Sequence, residues 1–145
     1  MRTLLFFVTI FTTVFLIGCG DGGLATVGVS GTVTYNGEPV ANASITFTPK
    51  TQGVGHPGYG TTDEKGVYLL QTSQGKADAG TTPGDYLVAI RKVEVDPNAP
   101  PPAPGYPAQT RSVIPTRYAQ TGTSELTATV ENKRSNVFDF ALTDD

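Results

Sequence analysis

Between residues 29 and 47 the chain alternates, with Val29, Gly31, Val33 and Tyr35 on one face of an extended segment and Ser30, Thr32 and Thr34 on the other. Asn36-Gly37 supplies a turn with positive φ. Pro39 has no N–H for a ladder, so Glu38-Pro39-Val40 predicts a short arch rather than a prolonged hairpin. The next strand, over 43–48, turns Ala43, Ile45 and Phe47 inward. The same period of two returns three times before the last strand: at 67–72 (Tyr68, Leu70, Thr72 against Val67, Leu69, Gln71), at 86–91 (Tyr86, Val88, Ile90) and at 123–131 (Leu126, Ala128, Val130). The last strand, 136–142, has Phe138, Phe140 and Leu142 facing in and Asp139 out. This pattern predicts an all-β fold, a single β-sandwich of about seven strands, in which a buried Tyr86 needs a partner for its hydroxyl.

The segments between are of different kinds. Residues 49–60 show no hydrophobic period and read as a loop, while 61–66 read as a turn in which the Asp63 side chain bonds the backbone two residues on and Gly66 is left-handed. A Gly- and Ser-rich connection fills 73–84. Residues 95–109 hold Pro97, Pro100, Pro101, Pro102, Pro104 and Pro107, either a stiff insertion bridging two strands or an extended docking peptide. Pro115 makes 113–118 an edge or crossover, with Ile114 and Tyr118 packed and Arg117 outward. Residues 132–135 are a solvated turn and 143–145 a frayed end.

A length of 145 residues suits one domain. The net charge of -3, without clustered Lys and Arg, argues against a nucleic-acid surface. Cys19 is the only cysteine, which excludes an internal disulfide and a four-cysteine metal site. Arg2 precedes a nearly unbroken apolar run over 4–17, too short to span a bilayer comfortably, and small Gly18 precedes Cys19. Residues 1–19 resemble the signal segment and lipobox of bacterial lipoproteins. That resemblance implies removal of 1–18, alkylation of the Cys19 thiol by a diacylglycerol and acylation of the new amine. More than one acyl chain suffices for lasting attachment, at about 0.8 kcal/mol per buried methylene. The glycines of 19–28 then form a flexible tether.

Within the domain expected over 29–145, residues 29–93 carry a second resemblance. Gly31-Thr32-Val33-Thr34 with 36–43, Thr62-Asp63-Glu64-Lys65-Gly66-Val67-Tyr68, and Pro83-Gly84-Asp85-Tyr86-Leu87-Val88 are similar to three signature segments of the carboxypeptidase regulatory-like domain. Val113-Ile114-Pro115-Thr116-Arg117-Tyr118 resembles a segment of small lipoproteins that carry such a domain. The family's fold is an Ig-like, transthyretin-like β-sandwich, and it implies a folding or binding accessory without catalytic residues.

The side-chain inventory agrees with that implication. There is one histidine, no paired carboxylates at a useful spacing, and an ending over 141–145 unlike that of the transthyretin-like hydroxyisourate hydrolase. The chain is therefore expected to be no enzyme and to need no cofactor or metal. Tyr59, His56 and Tyr106 are the candidate ligand contacts, since loop tips on a rigid frame are where ligands are met; without a second ligand-type residue, His56 also reads as a plain solvated loop residue. Two functions follow as expectations. The first is a lipid-anchored, non-catalytic structural or protein-binding module of the cell membrane or outer membrane, facing the periplasm or exterior. The second is an envelope polysaccharide-binding module that stacks sugars on Tyr59, Tyr106 and Tyr118.

Overall fold

A computed structural model describes residues 25–73 and 79–144. The lipobox, Cys19 and most of the tether lie outside the described residues, as does Asp145. The chain is all-β, and among the described residues the only helical turn is the 3-10 segment Thr116–Ala119. Its strands are β1 (Gly28–Tyr35), β2 (Glu38–Pro39), β3 (Ser44–Pro49), β4 (Gly58–Thr61), β5 (Val67–Leu69), β6 (Gln71–Thr72), β7 (Gly84–Arg91), β8 (Val93–Val95), β9 (Thr110–Ser112), β10 (Leu126–Val130), β11 (Ser135–Val137) and β12 (Phe140–Leu142). Two of the seven expected strands are each broken in two, 113–118 becomes the 3-10 turn, and β2, β4, β8 and β9 are additional.

β1 is the spine of the first sheet. Along one edge it pairs in parallel with β11 and then β12; along the other it pairs antiparallel with β5 and then β2. The second sheet is antiparallel throughout, in the order β10-β7-β3-β4-β6. The alternation is as the sequence predicts, since Val29, Gly31 and Val33 are buried on β1, Ile45 and Phe47 on β3, and Tyr86, Val88 and Ile90 on β7. Phe47 joins the layers. Its ring lies 5.9 Å from that of Tyr86 within its own sheet, and 6.4, 6.0 and 6.2 Å from Tyr68, Phe138 and Phe140 across the interface. Each such pair adds about 0.5–1.5 kcal/mol beyond the burial of its area.

β11 and β12 are one run interrupted at Phe138 and Asp139. At the interruption Phe138 N–H donates to the Ser30 carbonyl, and its own carbonyl accepts the Tyr68 hydroxyl at 2.7 Å. That carbonyl crowds β1 so closely that a Cβ on Gly31 would lie 1.8 Å from the oxygen. Asp139 fills the gap in the ladder, accepting the Thr32 N–H at 2.8 Å and the Thr32 hydroxyl at 2.9 Å. Burial, and then the Asp139 charge, push the Tyr68 hydroxyl well above the usual tyrosine range, so it stays a neutral donor.

Several expectations are corrected. Pro39 does extend a hairpin: Asn36 and Gly37 both take positive φ, and Val40, not Pro39, donates to the Val33 carbonyl, so the missing N–H is not needed. The arch that follows is clasped by buried Thr62, whose hydroxyl donates to the Val40 carbonyl at 2.6 Å and accepts the Ala43 N–H at 2.8 Å. Residues 58–61 are strand β4 rather than loop; Gly58 and Gly60 give no hydrophobic period because contact with Leu70 leaves little room for a side chain there. Val27 and Gly28, at the end of the expected tether, are held in the fold, Val27 by a bridge to Thr81. The Asp63 turn forms as read, with Asp63 Oδ1 accepting the Lys65 and Val67 N–H groups and Gly66 at φ 75. Tyr86 finds its partners, donating to the Thr82 carbonyl at 2.7 Å, with the Thr82 hydroxyl at 2.9 Å. The proline-rich residues 96–109 cap a two-stranded arm made by β8 and β9.

Gly31→Ala is expected to lower stability by more than about 4 kcal/mol in urea unfolding, because the obstacle is a backbone carbonyl that cannot step aside. Gly28→Ala, whose added Cβ meets the Arg134 carbonyl at 3.3 Å, serves as the mild comparison and is expected to change it by about 1 kcal/mol at most.

Candidate functional site

β4 ends at Thr61, and the Asp63 turn sends the chain back as β5 in the other sheet. At Leu70 the same strand crosses over, so that β6 pairs with β4. The seam left between β4 and β5 opens outward as a groove of ≈ 570 Å³. Its walls are the outward residues of β3 and β4 (Ser44, Thr46, Tyr59, Thr61) on one side and Val67, Leu69 and Gln71 on the other. Gly60 lies in the floor, where a Cβ would come within 2.8 Å of the Leu69 carbonyl. Tyr59, Val67 and Leu69 are 44, 41 and 52 % exposed. The lining holds hydroxyls, one carboxamide and three exposed apolar side chains. Its one charged residue is Asp63, with Oδ1 committed to the turn. Such a surface suits an uncharged, partly apolar ligand, with the polar groups fixing its orientation.

The three candidate residues do not converge. Tyr59, expected on a loop tip, stands on β4 in the groove. His56 lies in the preceding loop and is half-buried; its N–H donates to the Thr82 hydroxyl at 2.8 Å and its carbonyl accepts the Thr81 hydroxyl at 2.7 Å, so its backbone supports the Tyr86 corner. Tyr106 is 74 % exposed on the proline-rich loop, whose arm leaves the second sheet beyond Arg91, at the end opposite His56. Tyr118 is removed as a sugar platform, being buried beneath the Arg117 guanidinium, 4.6 Å from its ring centroid. Val67 and Leu69 were legible as groove residues in one respect: their strand is apolar on both faces, though only one face is needed for the core. Among the described residues no three of His, Cys, Asp and Glu form a group that could hold a metal ion, and no helix is long and apolar enough to cross a membrane.

A second polar cluster sits where the sequence predicts a frayed end. Arg117, expected to point outward, donates to the Thr143 and Asp144 carbonyls, each at 2.9 Å, and to the Tyr118 hydroxyl at 2.8 Å. The Tyr35 hydroxyl donates to Asp144 Oδ1, and Asn36 Nδ2 donates to Oδ2 at 2.9 Å. Burial pushes the Tyr118 hydroxyl up, but its bonds to Thr143 and Arg117 outweigh this and hold it below the usual tyrosine value. The Tyr35 bond, then that of Asn36, holds the Asp144 carboxyl below the usual carboxylate range; the same Tyr35–Asp144 bond raises Tyr35.

The chain matches no family model and no curated protein. A solved structure similar to it is that of a 9R-lipoxygenase from Cyanothece PCC8801, at 15% identity and a TM-score of 0.38, over 86% of this chain and 18% of that one. The chain thus spans less than a fifth of that enzyme's length. The expectation that the chain is no enzyme is corrected on this finding and withdrawn. The likeness itself assigns neither an activity nor a ligand.

The Asp144 cluster is expected to open in acid. A carboxyl lowered in the folded state contributes in full above its ordinary value and loses that contribution as pH falls to the lowered one; raised Tyr35 contributes below its ordinary value and loses that contribution as pH rises through the raised one. Amide exchange at Asn36, which donates to the Leu142 carbonyl, should show extra opening at both extremes and none between them. Asp144→Asn should abolish the acid limb.

Proposed function

We propose that this chain is a lipid-anchored structural or protein-binding module of a bacterial cell envelope. In this reading residues 1–18 are a removed signal, Cys19 carries the lipid in the cell membrane or outer membrane, and 19–26 tether the folded residues from Val27 onward, which face the periplasm or exterior. The two layers are read as an Ig-like, transthyretin-like sandwich of the carboxypeptidase regulatory-like kind. The observation that carries the binding role is the seam groove, where Tyr59, Val67 and Leu69 stay exposed although their strands already supply a full inward face. Exposed apolar residues gathered beside hydroxyl and amide groups suit an extended segment of a partner protein. A second reading, envelope polysaccharide, is favoured by the Tyr59 ring standing among Ser44, Thr46, Thr61 and Gln71.

Cys19→Ser is expected to shift the protein from the membrane fraction to the soluble one, and an unchanged distribution would remove the anchor from this reading. Leu69→Asp is expected to weaken capture of the envelope partner by about tenfold or more, with the unfolding midpoint of this exposed site little changed. Binding to polysaccharide that is lost in Tyr59→Ala and kept in Leu69→Asp would select the second reading.

A further inference from the structure

Strand register sorts the loops to two ends of the body. The chain enters the fold at Val27 and Gly28, and Gly28 pairs with Ser135, immediately after Lys133 and Arg134. Val130 pairs with Gly84, and Pro49 pairs with Tyr86. The turn 131–134 and the loop 50–57 therefore lie at the same end as the point where the tether joins. Lys50 is fixed there by its N–H, which donates to the Asp85 carbonyl at 2.9 Å. Lys50 and Arg134 are exposed, with no carboxylate in ion-pair range among the described residues, and Lys133 is exposed although paired with Glu131 at 2.7 Å. On the same loop as Lys50, Val54 is 57 % exposed, held up by Gly53 and Gly55 at positive φ and by its N–H bond to the Thr51 carbonyl. The acid-rich positions Glu38, Asp63, Glu64 and Asp144 sit at the opposite end, beyond the last residues of β1 and β4.

We propose that this tether-proximal end docks on anionic phospholipid headgroups, with Lys50, Lys133 and Arg134 on the phosphates and Val54 at the interface. The inference rests on the lipid-anchor reading for its geometry. Five residues lie between Cys19 and Ala25, the first described residue, and even fully extended this stretch reaches only about 20 Å, roughly the length of a short strand. The anchored protein is thus held with this end nearest the bilayer, within the range at which cations and an anionic leaflet attract. An exposed apolar side chain at the same end as several cations is the combination that such an interface rewards.

The test uses the full-length lipidated protein with one added thiol, Val54→Cys at the proximal end or Glu64→Cys at the far end, labelled with a fluorophore. It is reconstituted into phosphatidylcholine vesicles with and without phosphatidylglycerol, all containing a quencher-bearing lipid. Quenching at position 54 should exceed that at 64 several-fold in phosphatidylglycerol vesicles. It should fall toward the position-64 value in pure phosphatidylcholine, in high salt, and when Lys50→Glu and Arg134→Glu are added. Equal quenching at both positions, or quenching at 54 that ignores lipid charge, overturns the docking face. Flotation and titration of the Cys19 thiol separate the two ideas. Protein that floats with a blocked Cys19 but quenches equally loses only the docking face, whereas protein with a free Cys19 that still floats on phosphatidylglycerol loses only the anchor. Protein that does not float loses both.

Discussion

The carbonyl of Phe138, laid over Gly31 and held there by the Tyr68 hydroxyl, is the contact on which the arrangement of the first sheet turns. It interrupts the edge run beside Gly31, where β1 has no side chain, while the alternation continues unshifted so that Phe138 and Phe140 both face Phe47. Asp139, facing outward by the same alternation, takes over at the break the Thr32 N–H that a regular ladder would have paired, and the Thr32 hydroxyl with it. A larger residue at 31, or a tyrosinate at 68, would leave that carbonyl either displaced or unsatisfied in the core.

The outward groove has a related origin. The 67–72 strand serves both sheets, pairing with β1 before Leu70 and with β4 after it, so a seam is unavoidable where it changes allegiance. Gly60 lets the two backbones close the bottom of that seam, while Tyr59, Val67 and Leu69 remain on its rim. Groove and core are therefore two faces of the same crossover, which gives the groove a frame of paired strands.

Much of this architecture was legible in the residues. Alternation placed the inward faces of 29–35, 43–48, 86–91 and 126–130 correctly, and Asn36-Gly37, Asp63 and Tyr86 announced their local chemistry. What did not show was whatever depends on pairing rather than on pattern. Gly58 and Gly60 form a strand whose packing surface is backbone, which no hydrophobic period can reveal. The division of 67–72 between sheets leaves its alternation unbroken, and the Arg117–Asp144 cluster joins residues 27 positions apart with no local signature. The groove was visible only as a strand apolar on both faces, and His56, Tyr59 and Tyr106 were drawn together by residue type where the register sets them apart.

The parallel pairing of β1 with β11 and β12 ties together residues more than a hundred positions apart, as in the Thr32–Asp139 bond across 107 positions. Such a closure gives the chain a high contact order and postpones its slowest step until the carboxyl-terminal segment has been made. Until then the first strand lacks its neighbours along an entire edge. During synthesis from the amino terminus the spine strand therefore becomes complete only once residues 135–142 have been made.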